Sequence, residues 1–145
     1  MKILFLTGGD REQALHFLLK KKVNIVALIT PVKSKTNYRF KKCIDIAKDF
    51  GIKNISVRKD NIESKLKKLN FDLIISCGFT YILPKSIIKL AKVDAINVHP
   101  TLLPKYRGFR SGPFVIINGE KETGVTIHKI TDGMDKGNIY LQKKI

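Results

Sequence analysis

The sequence predicts a single α/β domain: a mostly parallel sheet with helices on both faces, its C-terminal strands partly antiparallel. Three observations predict it. Short, wholly apolar runs alternate with segments of helical period, as in parallel strands covered on both sides. Glycine, aspartate and proline mark the junctions between them. The last third changes character: Gly124–Ile130 alternates like a strand, Thr131–Gly137 is turn-rich, and Ile139–Ile145 reads as a final strand.

The elements follow in order. Ile3–Thr7 is a buried strand stopped by Gly8-Gly9-Asp10, and Asp10 is placed to cap a helix from Arg11 with Ala14, Leu15, Leu18 and Leu19 inside. His16 falls off that stripe and is expected in solvent. Val23–Thr30 is a second strand and Pro31–Tyr38 a polar loop. Phe40, Cys43, Ile44, Ala47 and Phe50 then keep helical spacing, with Gly51 as the stop. Ile55–Val57 is a short strand. Asp60 or Asn61 caps a helix carrying Ile62, Leu66 and Leu69. Phe71–Ser76 is a strand, Pro84 opens a helix with Ile87, Ile88 and Leu90, and Ala95–Val98 is a strand again. Ligands of such sheets collect at the carboxyl ends of the strands, here Gly8–Asp10, Cys77–Leu83 and Asn97–Gly112.

Composition narrows the function. A chain of 145 residues forms one domain at most. No apolar run reaches the ~18 residues of a membrane helix. The apolar start of the chain is too short for a signal peptide, so no membrane partner and a cytoplasmic location are expected. Cys43 and Cys77 lie on apolar elements and are expected as buried thiols, with no metal site. The net charge of +16 comes mostly from dispersed lysine; the arginines are Arg11, Arg39, Arg58, Arg107 and Arg110. A solvated lysine coat is the plain reading of that charge, and attraction of an anionic substrate, such as a nucleotide-linked sugar or tRNA, is the alternative; without aromatics interleaved for base stacking, a nucleic-acid-binding module is disfavoured. Gly8-Gly9 follows the first strand, but GxGxxG is absent, which argues against a nicotinamide-dinucleotide site.

The chemistry gathers after residue 96. The strand period of two puts Asn97 and His99 on one face, and Pro100 keeps His99 extended. Two polar side chains there are costly unless paired or used. A structural histidine remains an alternative on these residues alone.

The run from Asn97-Val-His99-Pro100 through Leu103-Pro104-Lys105-Tyr106-Arg107-Gly108 resembles the signature loop of folate-dependent formyltransferases. The likeness continues in Ile117-Asn118-Gly119-Glu120, in Thr123-Gly124-Val125-Thr126-Ile127-His128, and in Gly133-Met134-Asp135-Lys136-Gly137. The resemblance implies a Rossmann-like three-layer catalytic domain over residues 1–145, with Asn97, His99 and Asp135 as the catalytic trio. Phe79, Tyr81, Ile82 and Leu83, with the backbone of Thr131, Asp132, Gly133 and Met134, would border the pterin of 10-formyltetrahydrofolate. A plain strand-to-helix turn is the alternative for residues 77–84. Thr126 and His128 would either support the trio or serve structural hydrogen bonding. Lys105, Tyr106 and Arg107 would face the acceptor; a structural role is the alternative for Arg107. Ser111 stands where family members usually have proline, with Pro113 two residues later.

The expected reaction is formyl transfer to an amine. The Tyr-Arg-Gly loop looks most like that of sugar N-formyltransferases, so a nucleotide-linked 4-amino-4,6-dideoxy sugar is the expected acceptor. The lack of an accessory C-terminal domain points the same way. The rivals are methionyl-tRNA or another small amine, and a non-catalytic folate- or nucleotide-binding relative.

Overall fold

The computed structural model describes residues 1–32, 39–109 and 111–145. Its elements are β1 (Ile3–Thr7), α1 (Glu12–Lys20), β2 (Ile25–Pro31), α2 (Lys41–Asp49), β3 (Asn54–Val57), α3 (Ile62–Leu66), β4 (Leu73–Cys77), α4 (Lys85–Ile88), β5 (Asp94–His99), α5 (Ser111–Ile117), β6 (Gly124–Lys129) and β7 (Ile139–Lys144). The described strands form one sheet in the order β3-β2-β1-β4-β5-β6-β7. Pairing is parallel from β3 to β5 and antiparallel from β5 to β7.

Alternation along β1 builds the three layers. Ile3 and Phe5 pack with Leu15, Cys43 and Ala47 of α1 and α2. Leu4 and Leu6 pack on the other side with Ile62 and Leu66 of α3 and Ile87 of α4. With both faces covered, β1 is buried at every position, which is why it reads as an unbroken apolar run. Fully burying each such side chain contributes roughly 1.5–3 kcal/mol. Cys43 and Cys77 are buried free thiols, and burial raises both thiols above their ordinary value.

Several local expectations are corrected. Asp10 does not cap α1: the helix starts at Glu12, with Arg11 in the cap position and no side-chain cap bond. Asp10 instead lies 3.9 Å from Arg39. Asn61 occupies the cap position of α3, but its Oδ1 accepts from the Arg58 amide. Phe50 and Leu90 are exposed because α2 and α4 end before them. β2 and β4 each start two residues later than expected, at Ile25 and Leu73. Helix α5 is an addition to the expected elements; Ser111-Gly112-Pro113 reads as a break, yet proline is tolerated in a first helical turn. In the expected polar loop at 31–38, Pro31 closes β2, and residues 33–38 lie outside the described residues. Gly51 ends α2 as expected, at φ 66°. His16 is exposed, and no helix among the described residues is long and apolar enough to cross a membrane.

Candidate active site at the end of β5

Asn97 and His99 close β5 where it meets antiparallel β6, opposite His128 and Thr126 respectively. The turn after β6 returns Asp135 to the same place. His99 Nδ1 lies 3.4 Å from Asp135 Oδ2, and Asn97 Nδ2 donates to Asp135 Oδ1 at 3.3 Å. The trio named from the sequence is therefore brought together across 38 residues of chain.

Burial and donors define the cluster's electrostatics. His99 is 4% exposed and His128 2%. Nε2 of His99 donates to the Tyr106 carbonyl at 2.8 Å, because a carbonyl only accepts. That leaves Nδ1 as the His99 atom facing Asp135. His128 Nδ1 likewise donates to the Lys129 carbonyl at 2.9 Å, so its Nε2 accepts from Asn97 Nδ2 at 3.1 Å. A doubly protonated His128 would instead pair directly with Asp135 Oδ1, 3.3 Å away. The Gly108 amide donates to Asp135 Oδ2 at 2.8 Å.

Burial pushes the Asp135 carboxyl up. The hydrogen bond from the Gly108 amide and the His128 and His99 rings beside the carboxylate outweigh it and hold the group below its ordinary value. A carboxyl lowered on folding contributes stability that is complete above its unfolded value, about 3.9, and is lost as pH falls through the folded one. Chemical-denaturation midpoints measured down the acid limb are expected to fall more steeply in the wild type than in Asp135→Asn. Parallel acid limbs in the two proteins would contradict this linkage.

Asp135 and Tyr106 both have positive φ, 49° and 55°. Such a backbone costs a non-glycine residue of order 1–3 kcal/mol and persists where surroundings hold it. The carboxylate contacts do so for Asp135. For Tyr106, the hydroxyl donates to Glu120 Oε1 at 2.7 Å and accepts from Asn118 Nδ2 at 3.1 Å.

The remaining site residues separate into distinct places. His128 touches the trio, whereas Thr126 fastens the neighbouring loop: its Oγ1 donates to the Thr101 carbonyl at 2.7 Å and accepts from the Leu103 amide at 3.1 Å. Lys85 pairs with Asp132 at 2.6 Å, tying the segment after β4 to the Thr131–Met134 turn. Phe79 and Tyr81 meet edge to face at 5.7 Å. Leu83 is buried in the core, while Ile82 and Met134 are exposed. Lys105 and Tyr106 turn their side chains to Glu120, away from the trio, and Arg107 is exposed. The roles of Gly108, of the Tyr106 carbonyl and of Glu120 were not legible in the sequence. Two of them act through backbone atoms, and Glu120 showed only as part of a matching run. Among the described residues no group of three or more His, Cys, Asp or Glu side chains could hold a metal ion.

The sequence model of the formyl transferase family matches residues 1–145. The chain belongs to that family. A curated relative, methionyl-tRNA formyltransferase of Malacoplasma penetrans, is 35% identical over 150 residues, covering 99% of this chain and 47% of its own. Among solved structures, phosphoribosylglycinamide formyltransferase of Bacillus halodurans superposes with a TM-score of 0.83 at 22% identity, covering 100% of this chain and 79% of its own. At that identity the likeness shows the fold, and it is the one expected. WlaRD, a sugar 3N-formyl transferase solved with dTDP and 5-N-formyl-THF, gives a TM-score of 0.73 at 28% identity, covering 100% of this chain and 52% of its own. The formyl transferase chain described here spans about half the length of the curated relatives it matches.

Proposed function

We propose that this formyl transferase domain moves a formyl group from 10-formyltetrahydrofolate to the amine of methionyl-tRNA. The observation that carries the chemistry is the cluster in which Asp135 meets His99, Asn97 and the Gly108 amide within 3.4 Å. The choice of acceptor rests on the relatives: methionyl-tRNA formyltransferases match nearly the whole chain at 33–38% identity. It departs from the sugar expected from the signature loop. Because the chain spans about half of these relatives, its end at Ile145 has no bearing on the acceptor.

The residues present fit the folate. Lys85, at the start of α4 just beyond the 79–83 segment, pairs with Asp132 of the 131–134 turn, and Ile82 and Met134 offer exposed apolar side chains beside polar backbone. The bound donor supplies an electrophilic formyl carbon. Negative charge grows on the formyl oxygen as the amine attacks, and a placed N–H donor is worth about 2.7–4 kcal/mol there. Asn97 would supply such a donor; both its N–H groups now lie toward His128 and Asp135, and release of the longer bond frees one. A proton on His99 Nδ1 would be held against Asp135, which could receive the amine's proton, directly or through water; a proton would then pass to the folate nitrogen as its bond to the formyl carbon breaks, releasing tetrahydrofolate and the formylated amine.

The test incubates the protein with 10-formyltetrahydrofolate and either methionyl-tRNA or nucleotide-linked amino sugars, scoring a mass gain of one formyl group. Turnover on methionyl-tRNA, weakened by salt as expected for a +16 protein on a polyanion, supports the proposal. Turnover on a sugar alone would transfer the proposal to the second reading, which the whole-chain likeness to WlaRD favours. In either case Arg107→Ala is expected to raise KM for the acceptor several-fold, since its side chain is exposed and suited to phosphate, and it stands in the chain between Tyr106 and Gly108, whose backbone meets the cluster. An unchanged KM would remove Arg107 from the acceptor site.

A further inference from the structure

Tyr106 has two ends that do different things. Its carbonyl takes the Nε2 proton of His99 at 2.8 Å, and the buried Thr101 hydroxyl also donates to it, at 3.3 Å. Its ring runs the other way, to Glu120 and Asn118 just beyond α5. Between them the backbone sits at φ 55°. Relaxing that angle to the negative values a tyrosine prefers would rotate the adjoining peptide groups and turn the carbonyl off His99. The outward hydrogen bonds thus hold the side chain of the same residue whose carbonyl meets His99. Glu120 is itself anchored: its amide donates to the Val115 carbonyl at 3.1 Å. Donation from Tyr106 and Lys105 keeps its carboxyl below the ordinary value, and so ionised and accepting. A cavity of about 650 Å³, lined in part by Lys105, Tyr106, Asn118 and Glu120, opens beside the contact. Water entering there would satisfy a released Tyr106 hydroxyl without holding it in place.

We propose that Glu120 and Tyr106 form a latch that positions His99 for the reaction, reaching it through the Tyr106 carbonyl. Both are positioning residues in this respect, and the role rests on the reading of His99 as a catalytic group. The carboxylate acts as a hydrogen-bond acceptor, so glutamine, which keeps a carbonyl oxygen at the same reach, should replace it and alanine should not.

The test uses the whole chain and reads His99 in two ways. One is the ¹⁵N signal and solvent exchange of the His99 Nε2–H, which needs no substrate. The other is kcat and KM for formyl transfer to methionyl-tRNA. Glu120→Ala and Tyr106→Phe are each expected to shift the His99 signal, speed its exchange and lower kcat about 10-fold, the upper end of what one hydrogen bond supplies. KM for the folate should hold. Glu120→Gln should stay near wild type in both readouts, and the Glu120→Ala/Tyr106→Phe double variant should be no worse than either single one. Should Glu120→Ala fail to fold, Tyr106→Phe, which removes one oxygen at the surface, decides the matter. A His99 signal unchanged in folded Tyr106→Phe would overturn the latch, as would equal loss in Glu120→Gln and Glu120→Ala. If the wild type transfers no formyl group, the catalytic reading falls while the His99 signal still judges the latch.

Discussion

Replacing either His99 or Asp135 with asparagine is expected to lower turnover by at least about 100-fold while leaving the fold in place. Nδ1 of His99 and Oδ2 of Asp135 lie 3.4 Å apart, so the ring nitrogen and the carboxylate face one another at the end of β5. Asparagine keeps a comparable shape but can neither take up nor release a proton there. The fold should survive Asp135→Asn because the new amide oxygen would still accept from the Gly108 amide, now 2.8 Å from the carboxylate. The trio also lies outside both core clusters. Steady-state kinetics paired with circular dichroism measures this. Near-normal turnover in either variant would remove the pair from the chemistry.

Gly137→Ala is expected to cost about 2–3 kcal/mol of stability, the upper range for overpacking, or about 5–10 °C in Tm. A β-carbon at this position would land on the Lys129 backbone carbonyl, and the Lys129 amide is already committed to Asn138 at 2.9 Å. A main-chain obstacle cannot swing aside as a lysine side chain would. Activity should drop with stability, since Asp135 is two residues away on the same turn. Gly9→Ala, whose β-carbon would meet open space, serves as the stability control. A thermal melt of Gly137→Ala matching that of Gly9→Ala would show that the β6–β7 turn yields freely.

What could be read from the sequence follows from how local each cause is. Strands such as Ile3–Thr7 announce themselves because burial on both faces demands apolar residues throughout. Asn97 and His99 were legible as a pair from the two-residue period alone. Asp135 was not: by itself it reads as a turn carboxylate, and only the family resemblance joined it to residues 38 positions earlier. Helix caps could not be read locally because Asp10 and Asn61 find partners in Arg39 and the Arg58 amide. Helix α5 stayed hidden behind Gly112 and Pro113, residues whose cost is small in a first turn. The hydrogen bonds from His99 to the Tyr106 carbonyl and from the Gly108 amide to Asp135 join main-chain atoms, which every residue type carries alike.

The change from parallel to antiparallel pairing at β5–β6 has an evolutionary consequence. A parallel neighbour would have needed a crossover to the far end of the sheet. Here the chain leaves β5 after His99 and re-enters at Gly124 on the same rim, with Asn97 opposite His128 whatever lies between. The connection between the two strands is pinned at a few points, where Thr101, Leu103, Tyr106 and Gly108 bond Thr126, His99 and Asp135. Change that suits different amine acceptors is therefore confined to the positions between these anchors, while the ladder beneath keeps Asn97 and His99 at fixed separation.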